Sequence, residues 1–250
     1  MIRGLYTSAM GMIVQERRQA NVSQNLSNVE TNSYKQQQIL AAASHRMNVL
    51  NRASTPGRHL TGIGSMETGT SVDGTYTDDR QGILQETKNP LDFAIDGDGF
   101  FAVRLPDGQT AYTRDGSFQL DAGGQLITGQ GYPVLGADGQ GILLGTEDVT
   151  VDARGGITMP DGRSASLAVV SFADPQGLNR LGDNLYTAGE QGLPGEAYEL
   201  KQGFLEGSNV DSLTELVRMI EISRNFESNQ KVAQAMDETL GKAVNEIGKL

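Results

Sequence analysis

The chain of 250 residues contains no cysteine and no tryptophan, and it has no long apolar run. Without cysteine no disulfide can form, and at this length a hydrophobic core is large enough to fold without one. The lack of cysteine is also compatible with a protein that leaves the cell without an oxidative folding step. No segment approaches the roughly eighteen apolar residues of a transmembrane helix, so we expect no membrane insertion. Residues 1–19 are too polar for a secretory signal, and export would therefore use another route.

Sequence signatures of enzymes and of metal sites are lacking as well. The two histidines, His45 and His59, lie in neither a zinc-protease nor a serine-nucleophile motif, and the glycines form no phosphate-binding loop. The Asp-Gly-Asp-Gly run at residues 96–99 lacks the further oxygen ligands of a calcium loop. Most other aspartates stand beside glycine, where turn formation explains them without catalysis. We therefore expect no enzyme, no cofactor and no metal site.

Acidic residues outnumber basic ones by 31 to 20, and the excess is concentrated in the middle of the chain. The net charge is +5 over residues 1–60, −14 over residues 61–209 and −2 over residues 210–250. An acidic middle argues against a nucleic-acid partner, whose phosphates require a basic surface. The basic residues near the front are scattered, which favours a solvated helix face or contact with acidic neighbouring subunits.

Both ends of the chain have the spacing of amphipathic helices. Apolar residues recur in steps of three and four, which defines one stripe on each terminal segment. A helix from residue 210 to about residue 248 would be roughly 58 Å long, so it must project or pack lengthwise. We predict that the two helices pair in the manner of a coiled coil that also meets neighbouring copies. The stripe positions are Leu5, Ala9, Met12, Val22, Leu26, Val29, Leu213, Leu216, Ile220, Phe226, Ala233, Met236, Leu240, Val244 and Ile247.

The middle of the chain has the spacing of short strands separated by turns. Short apolar runs such as those at residues 93–95, 100–103 and 167–172 alternate with Asp-Gly and Gly-Gly pairs. Between the first helix and this region, residues 33–80 begin with a glutamine run, include an expected short helix around residues 39–50, and then become rich in Gly, Ser and Thr. Asparagines near the end of the first helix favour caps and turns, which predicts that it ends near Asn32.

These patterns predict an α+β fold in which paired long N- and C-terminal helices accompany a central antiparallel β-rich domain. Residues 1–32 and 210–250 would form a discontinuous helical assembly domain. Residues 33–80 would form a connector, and residues 81–209 a β-rich outer domain.

Several sequence motifs resemble those of the bacterial flagellar rod and hook family. They occur in the same order as in that family and span most of the chain. The chain departs from the family pattern at Ser33, because relatives usually place glycine before the aromatic residue. The matching segments are residues 4–12 (GLYTSAMGM), 25–32 (NLSNVETN), 89–101 (NPLDFAIDGDGFF), 112–118 (YTRDGSF) and 202–210 (QGFLEGSNV), followed by Met219, Ile220, Arg224, Phe226 and Glu227.

The resemblance implies a structural subunit of the flagellar basal body, exported by the flagellar type III apparatus without a cleaved signal. In this family the terminal helices form an inner tube that lines an axial channel, and the β-rich domain lies outside them. The expected partners are copies of the same chain, other rod and hook proteins, and the export apparatus. The length resembles that of the rod proteins more than that of the longer hook protein, and the distal rod member is favoured over its proximal sibling.

Two other functions stay open at this point. A hook protein or a rod-hook adaptor would share the same terminal segments. A secreted carbohydrate-binding or hydrolytic β-domain has only the acidic turns in its favour. In the rod interpretation the subunit-assembly residues are Leu5, Met12, Val22, Asn25, Leu26, Asn28, Leu213, Leu216, Ile220, Phe226, Met236, Leu240, Val244 and Ile247.

Overall fold

The structure is a computed structural model that describes residues 2–51, 61–189, 192–195 and 197–247. The chain divides into two compact units. Unit 1 comprises Met1–Ser27, Gln37–Thr77 and Asp211–Leu250, and unit 2 comprises Asn28–Gln36 and Asp78–Val210. The expected α+β class is confirmed, with long terminal helices and antiparallel sheets between them.

Two long helices form most of unit 1. Helix α1 spans Ile2–Ser27, and helix α2 spans Ser212–Lys242 and continues as a π-helical turn over Ala243–Ile247. The Asp211 side chain caps α2 by accepting a hydrogen bond from the backbone N–H of Leu213. Helix α1 ends five residues before the predicted end at Asn32, because Asn28 already begins a turn in which its backbone oxygen accepts from the N–H of Thr31.

Unit 1 also contains a long antiparallel hairpin. Strand β1 (Gln37–Asn51) pairs with strand β2 (Thr61–Thr77), and Gln37 lies opposite Thr77. The short helix expected around residues 39–50 is therefore wrong. Alanine and leucine favour a helix in this segment. The backbone groups of β1 instead form hydrogen bonds with the Gly-, Ser- and Thr-rich strand β2, and this tertiary pairing outweighs the weak local helix propensity. The segment predicted as a connector is thus divided between the two units.

Unit 2 consists of short antiparallel strands. The strands are β3 (Leu84–Glu86), β4 (Phe93–Gly97), β5 (Phe100–Arg104), β6 (Thr110–Thr113), β7 (Phe118–Leu120), β8 (Leu126–Thr128), β9 (Thr150–Val151), β10 (Gly156–Thr158), β11 (Ser164–Ser166), β12 (Val169–Ser171), β13 (Asn179–Gly182), β14 (Leu185–Thr187), β15 (Leu193–Pro194), β16 (Tyr198–Gln202) and β17 (Phe204–Glu206). A six-stranded sheet has the order β13-β14-β6-β5-β12-β15, a three-stranded sheet has the order β11-β10-β9, and β16-β4, β17-β3 and β7-β8 form pairs.

The core of unit 2 is built around three phenylalanines. The ring of Phe118 lies 5.1 Å from that of Phe101 in an edge-to-face arrangement and 6.0 Å from that of Phe93. All three side chains are buried, and each stabilises the unit by roughly 1.5–3 kcal/mol relative to an exposed position. Strands β4, β5 and β7 supply these rings, so the core joins the six-stranded sheet to the pairs β16-β4 and β7-β8.

The predicted turn at Asp96-Gly97 is wrong, because this pair ends strand β4. Five other aspartates of unit 2 hold turns, three of them in Asp-Gly pairs as the sequence predicts. In each case an aspartate Oδ1 accepts a hydrogen bond from a backbone N–H two residues later, at 2.8–3.0 Å, and a nearby glycine has a positive φ. These five carboxylates are therefore engaged in holding turns, which weakens the hydrolytic interpretation. The aspartates are Asp107, Asp121, Asp138, Asp152 and Asp161.

Candidate functional site

Helices α1 and α2 pack against each other in antiparallel orientation. A Cβ placed on Gly4 would lie 2.3 Å from Met236, and one on Gly11 would lie 3.0 Å from Asn229. A step of seven residues along α1 thus corresponds to a step of seven in the opposite direction along α2. The two glycines let the helices approach closely, and the pairing predicted from the apolar stripes is present within a single chain.

A buried carboxylate lies where the start of α2 meets the end of α1. Glu215 is 0 % exposed; its Oε1 accepts from Arg218 Nη1 at 2.6 Å and its Oε2 accepts from Asn25 Nδ2 at 3.2 Å. The same Asn25 amide donates to the backbone oxygen of Gln37 at 2.8 Å, and its Oδ1 accepts from the Gln37 N–H at 3.1 Å. Asn25 therefore ties α1 both to α2 and to the first residue of β1. We call Asn25, Glu215 and Arg218 the polar clamp.

A second apolar stripe of α2 remains exposed in the single chain. Leu213 is 69 % exposed and Ile220 is 54 % exposed, and Leu216 and Val217 between them are about half exposed. The four residues follow the spacing i, i+3, i+4, i+7, which places them on one helix face. We call these four residues the outer stripe. A contiguous apolar face of this kind is typical of a protein–protein contact.

The structure divides the predicted assembly residues into three groups. The exposed group contains Leu213, Leu216, Ile220 and Val244, and the side chain of Ile247 lies outside the described residues. The half-buried group comprises Leu5, Met12, Leu26, Asn28, Phe226, Met236 and Leu240, and the buried group comprises Val22 and Asn25.

Sequence reasoning missed several residues of these surfaces. Val217 belongs to the outer stripe, and its position four residues after Leu213 could have indicated it. Val14 and Ile222 are buried in unit 1, and Ile222 stands four residues before Phe226. Glu215 gives no such signal, because a glutamate in the first turn of a helix usually faces solvent and interacts with the helix dipole.

A second polar cluster lies inside unit 2. The Glu206 carboxylate accepts from Lys35 Nζ at 2.6 Å, from Arg114 Nη1 at 3.3 Å and from the backbone N–H of Gly82 at 2.9 Å. All three charged side chains are almost completely buried. Burial lowers the pKa of Lys35, and the neighbouring Glu206 carboxylate opposes that shift. We call Lys35, Arg114 and Glu206 the Glu206 cluster.

The Glu206 cluster joins motifs that are far apart in sequence. Arg114 also donates to the backbone oxygens of Gly97 and Gly99, so the segments 89–101, 112–118 and 202–210 meet at this guanidinium. Gly97 has φ +115°, and a Cβ there would lie 2.5 Å from the backbone oxygen of Ala197, so only glycine fits this position without strain. The resemblance between these segments and the family motifs therefore has a common structural basis.

Two further residues hold the chain segments that border unit 2. The Asn209 side chain accepts from the N–H of Gln36 at 2.7 Å and donates to the backbone oxygens of Asp78 and Arg80 at 2.8 and 2.9 Å. Ser33 has φ +55°, and its hydroxyl donates to the backbone oxygen of Arg114 at 2.7 Å. At Ser33, where the chain departs from the expected motif, the backbone is therefore left-handed, and the serine hydroxyl adds a hydrogen bond.

The described ranges hold no cluster of three or more His, Asp or Glu side chains that could bind a metal ion. Among the helices described, none is both long and apolar enough to cross a bilayer.

Comparisons with known proteins match the chain to a single family. Residues 94–169 match the flagellar hook protein FlgE/F/G D1 domain, and residues 201–246 match the C-terminal region of the flagellar basal body rod FlgEFG proteins. The chain is 37 % identical to the flagellar basal-body rod protein FlgG of Borreliella burgdorferi, over 98 % of both chains. It is 35 % identical to the FlgG of Bacillus subtilis, over 98 % of this chain and 99 % of that one.

Another relative with full coverage is the flagellar hook-basal body complex protein FlhO of Bacillus subtilis, which is 36 % identical over 100 % of both chains. Identity at this level over nearly the whole length establishes a shared family. The two helices, the β-rich unit and the motifs at the Glu206 cluster all lie within the matched length. The chain therefore belongs to the FlgE/F/G family of flagellar basal-body rod proteins and is a structural, non-enzymatic component of the basal-body rod.

Proposed function

We propose that this rod subunit assembles with copies of itself and with other rod and hook proteins into a hollow axial tube that transmits torque from the motor to the hook. Unit 1 carries the subunit contacts, and the chain reaches the rod through the flagellar type III export apparatus. The observation that carries this proposal is the outer stripe, an apolar face of α2 that unit 1 leaves exposed. The distal part of the rod is the proposed position, because the relatives named above include rod proteins called FlgG.

The two stripes of α2 give the helix two different tasks. Ile222, Phe226 and Met236 contribute to the buried or half-buried side, and the polar clamp fixes the pairing with α1. Leu213 and Ile220 face away from that side and are available to a neighbouring subunit. Burying an apolar side chain fully is worth roughly 1.5–3 kcal/mol, and an open helical array repeats the same heterologous contact at every subunit.

The substitution Ile220→Asp tests the proposal. Ile220 is exposed in the single chain, so the variant is expected to fold like the parent, with a stability change within about 0.5 kcal/mol. In an assembled contact the new carboxylate would be desolvated without a partner, at a cost of several kcal/mol. The variant is introduced into a strain that lacks the gene, basal bodies are imaged and motility is scored. We expect truncated rods and no motility.

The matched control is Ser228→Asp, an acidic change at another exposed position of α2 outside the outer stripe. It is expected to support rods of normal length. A third variant, Leu240→Asp, affects a half-buried position and is expected to weaken the helix pair itself, which circular dichroism of the purified chain would detect. Normal rods and motility in the Ile220→Asp strain would contradict the proposed role of the outer stripe.

A further inference from the structure

Methionines are concentrated where α1 meets the hairpin of unit 1. Met47 on β1 lies directly opposite Met66 on β2, and both line a groove of about 660 Å³ together with Tyr6 of α1. Met10 of α1 packs against the backbone of Gly69 on β2, where a Cβ would lie 2.5 Å from its sulfur. Thioether side chains from both α1 and the hairpin therefore lie at this contact.

The two cross-strand methionines are accessible, in contrast to the methionine of unit 2. Met47 is 48 % exposed and Met66 is 40 % exposed, whereas Met159 is 4 % exposed in its core. Oxidation of methionine by a peroxide requires approach to the sulfur, so its rate follows exposure. In the folded chain Met47 and Met66 are thus open to a small oxidant, and Met159 is protected.

The surroundings of Met47 also accommodate the oxidised product. Arg3 Nη2 lies 3.8 Å from the sulfur of Met47 and already points a donor at it. A sulfoxide oxygen is a much stronger acceptor than a thioether sulfur, and a guanidinium gives it a charged hydrogen-bond donor. Met47 can therefore be oxidised without leaving a buried, unpaired oxygen.

We propose that Met47 and Met66 form an oxidant-sensitive modification site at the contact between α1 and the hairpin. In the reaction a sulfur lone pair attacks one oxygen of hydrogen peroxide, the O–O bond breaks, the S–O bond forms, and the proton passes to the leaving oxygen, which departs as water. Sulfur is oxidised by two electrons and the peroxide is reduced. The apolar groove becomes polar, and the hairpin packs less firmly on α1. The site lies in unit 1 but includes no residue of the outer stripe.

The test treats the purified full-length chain with hydrogen peroxide and follows each methionine by peptide mass spectrometry. Met47 and Met66 are expected to form sulfoxides at least about tenfold faster than Met159 and faster than the half-buried Met10 and Met236. In denaturant the ranking of the oxidation rates should disappear, because the folded structure no longer protects any methionine. Equal rates for Met47, Met66 and Met10 in the native chain, or a Met159 that reacts as fast, would overturn the proposal.

A double variant separates the effect of the two residues from that of other oxidations. In Met47→Leu/Met66→Leu the side chains keep their apolar character and similar volume but cannot be oxidised. Peroxide is expected to lower the thermal unfolding midpoint of the helical signal in the parent chain and to leave it unchanged in the double variant. A midpoint that falls equally in both proteins would place the sensitive contact elsewhere and overturn the proposal.

Discussion

Removing the charge of Glu206 should destabilise unit 2 more than any change at its surface. In Glu206→Gln the side chain keeps its size and can still accept one hydrogen bond, but Lys35 and Arg114 lose their shared counter-charge while they remain buried. Removing one partner from a buried ion pair costs about 3–5 kcal/mol, because the remaining charge is desolvated and unpaired. A domain with a total stability of roughly 5–15 kcal/mol would lose a large fraction of it.

The assay is urea unfolding of the full-length chain, followed by hydrogen exchange in peptides that cover β5 (Phe100–Arg104). This strand lies in the core of unit 2 and therefore reports that unit. The control is Glu147→Gln, which removes the same charge from an exposed position and should change stability by less than about 0.5 kcal/mol. If Glu206→Gln costs less than about 1 kcal/mol, the ion pairs are not what holds this cluster together, and the reasoning is refuted.

The pH dependence provides a second check on the same cluster. Burial lowers the pKa of Lys35 below its ordinary value of 10.5, and Glu206 is the largest influence that raises it. Between the lowered pKa and 10.5 the unfolded chain binds more protons than the folded chain, so stability rises with pH in that window. Glu206→Gln should lower the pKa of Lys35 further, and the variant should regain more stability than Glu147→Gln as the pH rises towards 10.5. A parallel pH profile for the two variants would contradict this.

Two smaller changes test local contacts by urea unfolding. At Ser33 the positive φ costs a non-glycine residue roughly 1–2 kcal/mol, and the hydrogen bond to the backbone oxygen of Arg114 offsets part of it. The stability of Ser33→Gly should therefore be close to that of the parent chain, and Ser33→Ala should be less stable than Ser33→Gly by about 1 kcal/mol. Equal stability of the two variants would contradict the inferred backbone strain at this position. Asn25→Ala breaks the polar clamp and should lower the free energy of unfolding by roughly 2–3 kcal/mol. It should also speed up hydrogen exchange at the Gln37 amide. The control Ser23→Ala, at an exposed position, should change neither the stability nor this exchange rate.

The sequence predicts the terminal helices and the β-rich middle because each carries a strong local signal. Steps of three and four mark α1 and α2, and Asp-Gly pairs mark the turns of unit 2. The β1–β2 hairpin has no such signal. Its first strand contains alanines and leucines that favour a helix, and it becomes a strand only through pairing with residues 61–77, which lie far along the chain.

The sequence predicts which residues of α2 form the candidate site, but not which of them face α1 and which belong to the outer stripe. Steps of three and four fit both the outer stripe and the side that faces α1, so Leu213 and Phe226 are assigned to one stripe although only Leu213 is exposed in the single chain. Asn25 is predicted as an assembly residue from its motif, and the structure places it in the polar clamp inside unit 1. Its partner Glu215 could not be found from sequence, because only the packing of α1 on α2 buries that carboxylate.

The most direct test of the account is whether the outer stripe lies in a contact between subunits in the assembled rod. The chain has no cysteine, so a single Ile220→Cys substitution introduces the only thiol, and Ser228→Cys provides an exposed reference on the same helix. Isolated rods are treated with a water-soluble maleimide, and the labelled fraction is compared with that of the purified monomers. The account predicts that Cys at position 220 is labelled in the monomer and protected in the rod. In the rod, Cys at position 228 should be labelled more readily than Cys at position 220. Equal labelling of position 220 in the rod and in the monomer would contradict it.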